Sequence, residues 1–302
     1  MRLTVTGAGG FIGRAVVRRL MAQGVPPSDL LLVDRAFSEA SASPTLVGDL
    51  TDEAVLSAAT AECDALLHLA ALPGGAAQAD PDLSRRINLD VPVRLIERME
   101  GGRLVIAGSI AVLGGAPAGP VNDDSLRRPD SVYGTHKAMV ELAFGDAVRR
   151  GAITGVLVRL PGVVARPVSA GGFGSAWMSD IFHAARTGQP LCLPVAREAT
   201  SWLASVEVTA HNLVHALCAD FAVAAPVTLP ALHVRIGDLI DRLSQRFGYD
   251  GFTHAEDVAV RRMFGSYPPL ATPLAESLGF VRDRDLPALI DAVFAHEDGV
   301  AF

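Results

Sequence analysis

The sequence predicts an α/β fold in which a doubly wound parallel sheet, formed between Arg2 and Leu160, precedes a smaller and mostly helical region. Three observations support this prediction. Apolar stretches of strand length alternate with stretches of helical period, which is typical of strands joined by crossover helices. A glycine-rich turn joins the first predicted strand to the first predicted helix. Beyond Leu160 the alternation ends, and loops containing Gly and Ser separate helical stretches.

The composition indicates a globular protein with a small-molecule partner. The chain has 302 residues, 50% of them apolar and 20% charged, which suffices for a full core in one large or two modest domains. A net charge of −7 argues against a nucleic-acid surface. Without a signal-peptide pattern or an apolar run of about 18 residues, we expect a cytoplasmic protein with no membrane partner. The three cysteines are far apart, so we expect core thiols, with no disulfide and no metal site.

The first predicted unit is a strand, a glycine turn and a helix. Arg2–Thr6 has strand character, Gly7–Gly13 is rich in glycine, and Arg14–Leu20 follows a helical period. Glycines allow backbone N–H groups to approach a pyrophosphate, and a helix N-terminus adds partial positive charge. We therefore expect a dinucleotide at this turn, although a tight strand-to-helix turn without a ligand would give a similar pattern.

An acidic residue ends the second predicted strand, Leu30–Asp34. A carboxylate about 20 residues beyond such a turn accepts hydrogen bonds from the adenosine ribose and repels a 2′-phosphate, so Asp34 favours NAD over its phosphorylated form. Arg35 could soften that preference. The alternative is that Asp34 is an ordinary turn residue at the end of the strand.

Two more strands are predicted at Leu46–Leu50 and Asp64–Ala71. Asp49 should lie at the carboxyl edge of the sheet, where contacts with an adenine are made. His68 has no second metal-type residue spaced near it, so we interpret it as a packed strand histidine rather than a ligand.

The candidate catalytic residues are Ser109, Tyr133 and Lys137. Tyr133 and Lys137 are four apart in a predicted helix, Ser131–Arg150, so they share one helix face. A phenol has a pKa of about 10, and a neighbouring ammonium lowers that pKa by favouring the phenolate. Ser109 follows the predicted strand Leu104–Ala107, at the sheet edge where ligands bind. His136 points to another helix face and is not expected to be catalytic.

The other elements complete the expected domain organisation. A Gly- and Pro-rich loop runs to Pro129, and a further strand is predicted at Val156–Leu160. Helices are predicted at Asp82–Met99, Trp202–Ala219, Arg235–Phe247, Leu274–Leu278 and Leu286–His296, and Pro92 interrupts the first of them. Another helix is predicted to follow the loop Arg166–Ser175 and to end at Arg186. A short strand is predicted at Val227–Pro230. We expect a Rossmann-type dinucleotide-binding domain at 1–165, with a later contribution from about 203–232, and a substrate-binding cap at 166–202 and 233–302.

A set of motifs in a fixed order carries a family resemblance. The motifs are Thr6-Gly7-x-x-Gly10-Phe11-Ile12-Gly13, Asp34, Gly48-Asp49-Leu50, His68-Leu69-Ala70-Ala71, Asn88, Ser109 with Val112 and Gly114, Tyr133-x-x-x-Lys137 and Arg159-Leu160-Pro161. Together they resemble the extended short-chain dehydrogenase/reductases, the NAD-dependent epimerase/dehydratase family. The resemblance implies that NAD is bound by Gly7, Gly10, Phe11, Ile12, Gly13, Asp34, Asp49, Leu50, Leu69, Ala70, Ala71, Asn88, Tyr133, Lys137, Pro161 and Val163.

Further stretches resemble the D-erythronate dehydrogenase group of that family. They are Ser109-Ile110-Ala111-Val112 with Gly114-Gly115, Tyr133-Gly134-Thr135, Leu160-Pro161-Gly162-Val163 with Arg166-Pro167, Trp202-Leu203-Ala204-Ser205 and Asn212-Leu213-x-x-His215-Ala216-Leu217. This resemblance implies oxidation of the 2-hydroxyl of a four-carbon sugar acid to a 2-oxo acid. Leu113 departs from the aromatic residue usual in the wider family, and the loop Val168–Gly174, expected to face the substrate, is smaller and less polar than in the group.

We hypothesise that Tyr133 removes the hydroxyl proton, that Ser109 hydrogen-bonds the same oxygen, and that Lys137 lowers the tyrosine pKa and holds the nicotinamide ribose. Ile110 is expected beside the substrate. Arg166 could bind the carboxylate through two parallel hydrogen bonds or be an exposed loop arginine. Trp202 could line the pocket or pack inside the protein.

Other functions remain open at this point. A nucleotide-sugar epimerase would share the catalytic residues, and Arg235, Arg242, Arg261 and Arg262 could supply its diphosphate site. A uronate or aldose dehydrogenase would use the same chemistry. A dehydratase normally has an acid pair where this chain has Ile110 and Ala111, and a non-catalytic dinucleotide sensor usually lacks the Tyr or Lys. The resemblance also implies a homodimer formed through Asp82–Met99 and Ser131–Arg150.

Overall fold

The computed structural model describes residues 1–167 and 174–295. The chain divides into two compact units. Unit 1 consists of Met1–Val112, Pro129–Leu160 and Ala210–Thr228, and unit 2 consists of Leu113–Arg128, Pro161–Thr209 and Leu229–Phe302.

The secondary structure alternates between strands and helices through most of the chain. The strands are β1 Leu3–Thr6, β2 Leu30–Asp34, β3 Thr45–Val47, β4 Ala65–His68, β5 Arg103–Ser109, β6 Thr154–Leu160, β7 Gly162–Val164, β8 Leu191–Leu193, β9 Thr200–Ser205, β10 Val223–Thr228, β11 Leu232–Arg235 and β12 Phe252–His254. The helices are α1 Phe11–Ala22, α2 Glu53–Thr60, α3 Gly74–Ala79, α4 Pro81–Arg85, α5 Val91–Arg98, α6 Val132–Arg149, α7 Trp177–Thr187, α8 Val206–Cys218, α9 Ile236–Phe247, α10 Val258–Phe264, α11 Pro273–Ser277 and α12 Leu286–Ala295.

Unit 1 contains the predicted parallel sheet, which is confirmed. Its seven strands lie in the order β10-β6-β5-β4-β1-β2-β3, and every pair is parallel. The order reverses between β1 and β4, which creates a crevice at the carboxyl ends of these strands. The strands read as continuous apolar runs because helices cover both faces of such a sheet. β1 and β4 are buried along their whole length.

The core of unit 1 lies where helices pack on this sheet. Its buried side chains include Val33, Leu56, Leu66, Leu95, Leu104, Ile106, Val140, Phe144 and Leu157. The apolar residues of α6 therefore fix the distance of that helix from the sheet. They thereby also fix the positions of the other residues of α6.

Unit 2 is richer in strands than its sequence suggested. A three-stranded sheet has the order β11-β9-β7, and β8 pairs with β12. A second buried cluster includes Trp177, Ile181, Phe182, Leu203, Leu239, Leu243, Ile290 and Phe294. The helices α7, α9 and α12 supply most of this cluster, so the expectation of a helical C-terminal region is confirmed.

Two local predictions were wrong, and one predicted helix differs in detail. Trp202–Ser205 is the end of strand β9, not the start of a helix, because it pairs with β11 and β7. α8 begins only at Val206, and the Ser205 hydroxyl accepts a hydrogen bond from Val208 N. The predicted helix Asp82–Met99 is α4, a π-helical turn at Arg86–Asp90 and α5, with Pro92 tolerated in the first turn of α5. Cys192 and Cys218 are exposed rather than in the core.

No helix in the described part of the chain is long and apolar enough to cross a membrane.

A buried ion pair joins α6 to the sheet of unit 1. Glu141 accepts two hydrogen bonds from the Arg159 guanidinium, from Nε at 2.7 Å and from Nη2 at 2.8 Å. The exposed fractions of the two side chains are 0% and 3%. The Arg159 Nη1 is 3.5 Å from the Thr228 hydroxyl of β10. Paired in this way, the charges are matched, but either one alone would be a buried uncompensated charge.

We expect Glu141→Gln to lower the free energy of unfolding by about 3–5 kcal/mol, because Arg159 would keep its charge without a carboxylate. Urea denaturation measures this. Asp146→Asn is the matched control on α6: its partners Arg149 and Arg150 are exposed, so the expected loss is about 0–1 kcal/mol. Equal losses for the two variants would contradict the assignment.

Candidate active site and cofactor site

The turn after β1 is shaped by glycines that accept no side chain. Gly7 has φ +72°, and a Cβ added to it would lie 2.7 Å from the backbone N of Ala70. A Cβ on Gly13 would lie 2.1 Å from the Gly7 carbonyl oxygen. Both positions therefore require glycine, because the turn is packed between α1 and the chain that follows β4.

The N-terminus of α1 is open to an anion. Gly10 is its N-cap and supplies no side-chain cap, and the first turn, which includes the predicted Phe11 and Ile12, has no acidic residue. The first N–H groups of a helix have no intrahelical acceptor and carry partial positive charge. This arrangement fits the pyrophosphate of a dinucleotide.

Asp34 lies beside the glycine turn. Its Oδ2 accepts a hydrogen bond from Gly9 N at 2.9 Å, and its Oδ1 accepts one from Arg35 N at 2.7 Å. Each carboxylate oxygen has a second lone pair for a further donor, such as a ribose hydroxyl. Asp34 thus stabilises the turn and can also accept a hydrogen bond from a ribose. The two interpretations of the sequence, a turn residue and a ribose-binding residue, are therefore compatible.

Asp49 follows β3 at the same sheet edge. Its Oδ1 accepts hydrogen bonds from the backbone N of Thr51 at 2.9 Å and from the hydroxyl of Thr51 at 2.8 Å. The backbone bond is the main reason that the pKa of Asp49 lies below its usual value, and burial opposes it. Leu50 is buried, with 8% of its surface exposed.

His68 ends β4 inside the sheet. Its Nδ1 is 2.8 Å from the Thr6 hydroxyl, and its Nε2 has no hydrogen-bond partner among the described residues. Burial, with a contribution from the charge of Lys137, lowers the pKa of His68 to about 3. The described residues include no cluster of His, Cys, Asp and Glu that could hold a metal. His68 is therefore a neutral buried histidine.

The loop after β4 continues from His68 towards α3. Leu69 N donates to the Thr6 carbonyl at 3.0 Å, which aligns the loop with the end of β1. Asn88, in the π-helical turn, is fully buried, and its amide bonds the backbone of Leu72. The structure thus places Leu69 and Ala70 beside the glycine turn, and Asn88 bonds the chain two residues beyond Ala70.

Lys137 is buried under the sheet edge that carries Ser109. Its ammonium donates to the Ala107 carbonyl at 2.9 Å and lies 5.6 Å from the centroid of the Tyr133 ring. Ala107 and Ser109 are two residues apart on β5, so Lys137 connects α6 to the strand that ends in the serine. Burial lowers the pKa of Lys137 to about 8, so at neutral pH the side chain is mostly an ammonium.

Gly134, which the sequence analysis named only as part of a family motif, lets α6 approach Ser109. A Cβ at this position would lie 2.4 Å from the Ala111 carbonyl oxygen. The first turn of α6 therefore packs on the 3₁₀ turn Ile110–Leu113, which directly follows Ser109. The Ser109 hydroxyl accepts a hydrogen bond from Ala111 N at 3.1 Å. In the sequence, the glycine directly after Tyr133 was the signal that could have indicated this close approach.

The remaining predicted substrate residues have different environments. Ile110 is buried in the 3₁₀ turn of unit 1, with 8% of its surface exposed. In unit 2, the exposed Arg166 guanidinium donates to the Ser175 hydroxyl at 3.2 Å. Pro161 and Val163 are buried at the start of unit 2, and Val163 is in β7. Residues 168–173 of the predicted substrate loop lie outside the described residues.

Trp202 packs inside unit 2. None of its surface is exposed, its indole N–H donates to the Pro268 carbonyl at 2.7 Å, and its ring stacks on Tyr267 with the centroids 4.5 Å apart. This environment favours the packing interpretation over a substrate contact.

Comparisons with known proteins agree with this geometry. Residues 3–215 match the NAD dependent epimerase/dehydratase family. The chain belongs to the NAD-dependent epimerase/dehydratase family. The predicted enzyme class, an NAD-dependent oxidoreductase acting on CH–OH groups, is confirmed by this match and by two full-length relatives that are dehydrogenases.

These two relatives are D-erythronate dehydrogenases. The protein from Cupriavidus necator is 32% identical over 325 residues, covering 100% of both chains. The protein from Haemophilus influenzae is 28% identical over 322 residues, covering 98% of this chain and 100% of the relative. Among solved structures, a nucleoside-diphosphate-sugar epimerase from Agrobacterium tumefaciens has a TM-score of 0.89 and 27% identity, with 99% and 95% coverage. An L-threonine dehydrogenase from Cupriavidus necator has a TM-score of 0.88 at 17% identity, with 98% and 100% coverage, which shows the shared fold.

The arginines that could serve a nucleotide-sugar epimerase lie beside acids in unit 2. Arg235 is 3.2 Å from a carboxylate oxygen of Glu198 and 3.5 Å from one of Asp238. Arg261 is 3.5 Å from Glu256, and Arg242 lies near Asp285. Acidic neighbours offset these positive charges. The three arginines are therefore less suited to binding a diphosphate than their charges in the sequence suggested.

We expect His68→Asn to reduce the loss of stability at acid pH. Below about pH 6.5 the unfolded chain binds a proton at His68 that the folded state excludes until about pH 3, so the free energy of unfolding falls as the pH falls through this window. Between pH 6.5 and 5.0 this contributes about 2 kcal/mol. Asparagine can keep a bond to Thr6, and the exposed His254→Asn is the control.

Urea unfolding at the two pH values measures the effect. An identical pH dependence for the wild type and His68→Asn would contradict the assignment of a neutral buried imidazole.

Proposed function

We propose that this protein oxidises the 2-hydroxyl of a small sugar acid, D-erythronate or a close analogue, to the 2-oxo acid with NAD. The observation that supports the chemistry is the buried Lys137 ammonium, which lies over Tyr133 and is bonded to the strand of Ser109. The substrate class comes from the two full-length relatives, both D-erythronate dehydrogenases.

Most of the groups proposed to bind the cofactor lie in unit 1. The N–H groups at the start of α1 would receive the pyrophosphate, Asp34 the adenosine ribose and Asp49 the region of the adenine. The backbone of Leu69–Ala71 would lie along the nicotinamide side, and Pro161 and Val163 are further candidates. When bound, NAD accepts a hydride from the substrate carbon that bears the hydroxyl.

Tyr133 would act as the general base on the substrate hydroxyl. A cation beside a phenol favours the phenolate, so the ammonium of Lys137 prepares Tyr133 for this step. The Ser109 hydroxyl would donate a hydrogen bond to the same substrate oxygen and fix its position. The remaining N–H groups of Lys137 are suited to the nicotinamide ribose, because Ala107 accepts from only one of its hydrogens in the described part of the chain.

Arg166 is the candidate for the substrate carboxylate. Its guanidinium is exposed and has N–H groups beyond those that face Ser175. A guanidinium can bind a carboxylate through two parallel hydrogen bonds.

Replacing Tyr133 with Phe is expected to lower kcat by about 10²–10⁴-fold, because the general base is lost while the ring remains. NAD affinity, measured by calorimetry, should stay nearly unchanged. The control is Tyr249→Phe, which removes the hydroxyl of a tyrosine in unit 2 that is distant from Tyr133 in sequence. Full turnover in Tyr133→Phe would refute the assignment of the base.

The substrate can be identified by following NADH absorbance with a panel of sugar acids and nucleotide sugars, including D-erythronate, L-threonate and hexuronates. Rapid NADH formation with one four-carbon acid supports the proposal. The second candidate is a nucleotide-sugar epimerase, which the structural similarity to the Agrobacterium enzyme favours. Conversion of a nucleotide sugar without net NADH would establish that function instead, and turnover of a hexuronate or an aldose would indicate a uronate or aldose dehydrogenase.

Homodimerisation, implied by the family resemblance, stays a proposal. The exposed apolar side chains Met139 and Leu142 of α6 support it, since their exposed fractions are 47% and 61%. The mass of the native particle would test it.

A further inference from the structure

Asn88 forms a two-point clamp on the backbone of Leu72. Its Oδ1 accepts a hydrogen bond from Leu72 N at 2.9 Å, and its Nδ2 donates to the Leu72 carbonyl at 3.0 Å. The side-chain amide therefore pairs with Leu72 as a neighbouring peptide would. Asn88 lies in the middle of the π-helical turn Arg86–Asp90. Such single turns re-aim a side chain within a helical path and are frequent at functional sites.

A second pair of hydrogen bonds fixes the clamp itself. The other hydrogen of Asn88 Nδ2 goes to the Ser84 hydroxyl at 3.1 Å, and the Ser84 oxygen is 2.9 Å from Nδ1 of His136. Ser84 and Asn88 are both fully buried. With these bonds the oxygen and both N–H groups of the Asn88 amide each have a partner, so its rotation is fixed.

The bond between Asn88 and Ser84 has a fixed direction because an amide N–H only donates, whereas the direction of the bond between Ser84 and His136 depends on the imidazole tautomer. Since Asn88 donates to the Ser84 oxygen, the Ser84 hydrogen is available for a lone pair on His136 Nδ1. Burial lowers the pKa of His136, opposed by Asp90 and assisted by Arg85, so the imidazole is mostly neutral at neutral pH and can accept there. Asn88, Ser84 and His136 are therefore joined in one chain of hydrogen bonds.

The loop held by the clamp lies between the glycine turn and the helix of Tyr133. Ala70 N is in close contact with Gly7, where a Cβ would lie only 2.7 Å away. At the other end of the loop, the position of a Cβ on Gly74 is 3.9 Å from Cβ of Tyr133. A shift of Leu72 would therefore move the backbone that faces the glycine turn.

We propose that Ser84 and His136 are positioning residues of the cofactor site, which hold Asn88 so that it clamps Leu72 and keeps Leu69–Ala71 against the Gly7 turn. This inference rests on the proposed NAD site. His136 lies between Tyr133 and Lys137 in sequence. Under this proposal it does not take part in the reaction but holds Ser84 of α4, which in turn holds Asn88 of the π-helical turn.

The test is NAD binding by titration calorimetry with the full-length protein, which needs no substrate. Ser84→Ala and His136→Leu are each expected to raise the Kd of NAD by about 2- to 10-fold, the range for a lost hydrogen bond. His136→Asn can place a polar atom near the position of Nδ1, so it should restore the Kd to within about twofold of the wild type. kcat at saturating NAD should change little, since the reacting groups are untouched.

The double variant tests whether the residues act as one chain. Because both single substitutions break the same series of bonds, Ser84→Ala with His136→Leu should raise the Kd no further than Ser84→Ala alone. The matched control is Thr60→Val, which removes a hydroxyl bonded to the α2 backbone. It should lower the melting temperature without changing the Kd. His136 is only partly buried, so His136→Leu provides the test should Ser84→Ala not fold.

The outcomes distinguish the positioning role of Ser84 and His136 from the NAD site itself. A wild-type Kd retained in both Ser84→Ala and His136→Leu overturns the positioning role while leaving the NAD site in place. A Kd raised as much by Thr60→Val also overturns it, because the effect would then be general destabilisation. Failure of the wild type to bind NAD would overturn both the proposed site and the inference.

Discussion

The burial of the Lys137 ammonium is the constraint on which the rest of the candidate site depends. A charged group removed from water requires compensating polar contacts, and here the Ala107 carbonyl supplies one. The side chain stays mostly protonated at neutral pH although burial lowers its pKa to about 8. The bond to Ala107 anchors α6 on β5, so the tyrosine and the serine are positioned by one interaction. A cation whose other N–H groups have no acceptor among the described residues is suited to the hydroxyls of a bound cofactor.

α6 combines this constraint with two others. One turn beyond Lys137, Glu141 forms the buried ion pair with Arg159 of β6. On another face, His136 contacts Ser84. The helix is thus fixed to the sheet by an ion pair and a lysine, and to the loop after β4 through a chain of neutral hydrogen bonds. Its position cannot change without disturbing the glycine turn or the sheet, which suits an element that carries the proposed general base.

Much of unit 1 could be predicted from the sequence, because its signals are local. Strands buried on both faces appear as short apolar runs, and the glycine turn is recognisable from its steric requirement at Gly7 and Gly13. Unit 2 was harder. Trp202–Ser205 has the residues of an apolar helix start, and only its pairing with β11 and β7 makes it a strand. Strand propensity depends on such neighbours, which are distant in sequence.

The sequence by itself determined the fold class, the turn that suits a dinucleotide, and the Tyr133 and Lys137 pair. The fold class follows from the alternation of strand-length and helical stretches, and the other two follow from spacing over a few residues. Only the tertiary structure decided that Ala107 is the acceptor for Lys137, that Trp202 is enclosed by its own unit, and that Asn88 clamps Leu72. These contacts join residues far apart in the chain. Hydrogen-bond partners of buried polar groups are set by which strands and helices lie side by side, and no local pattern encodes that.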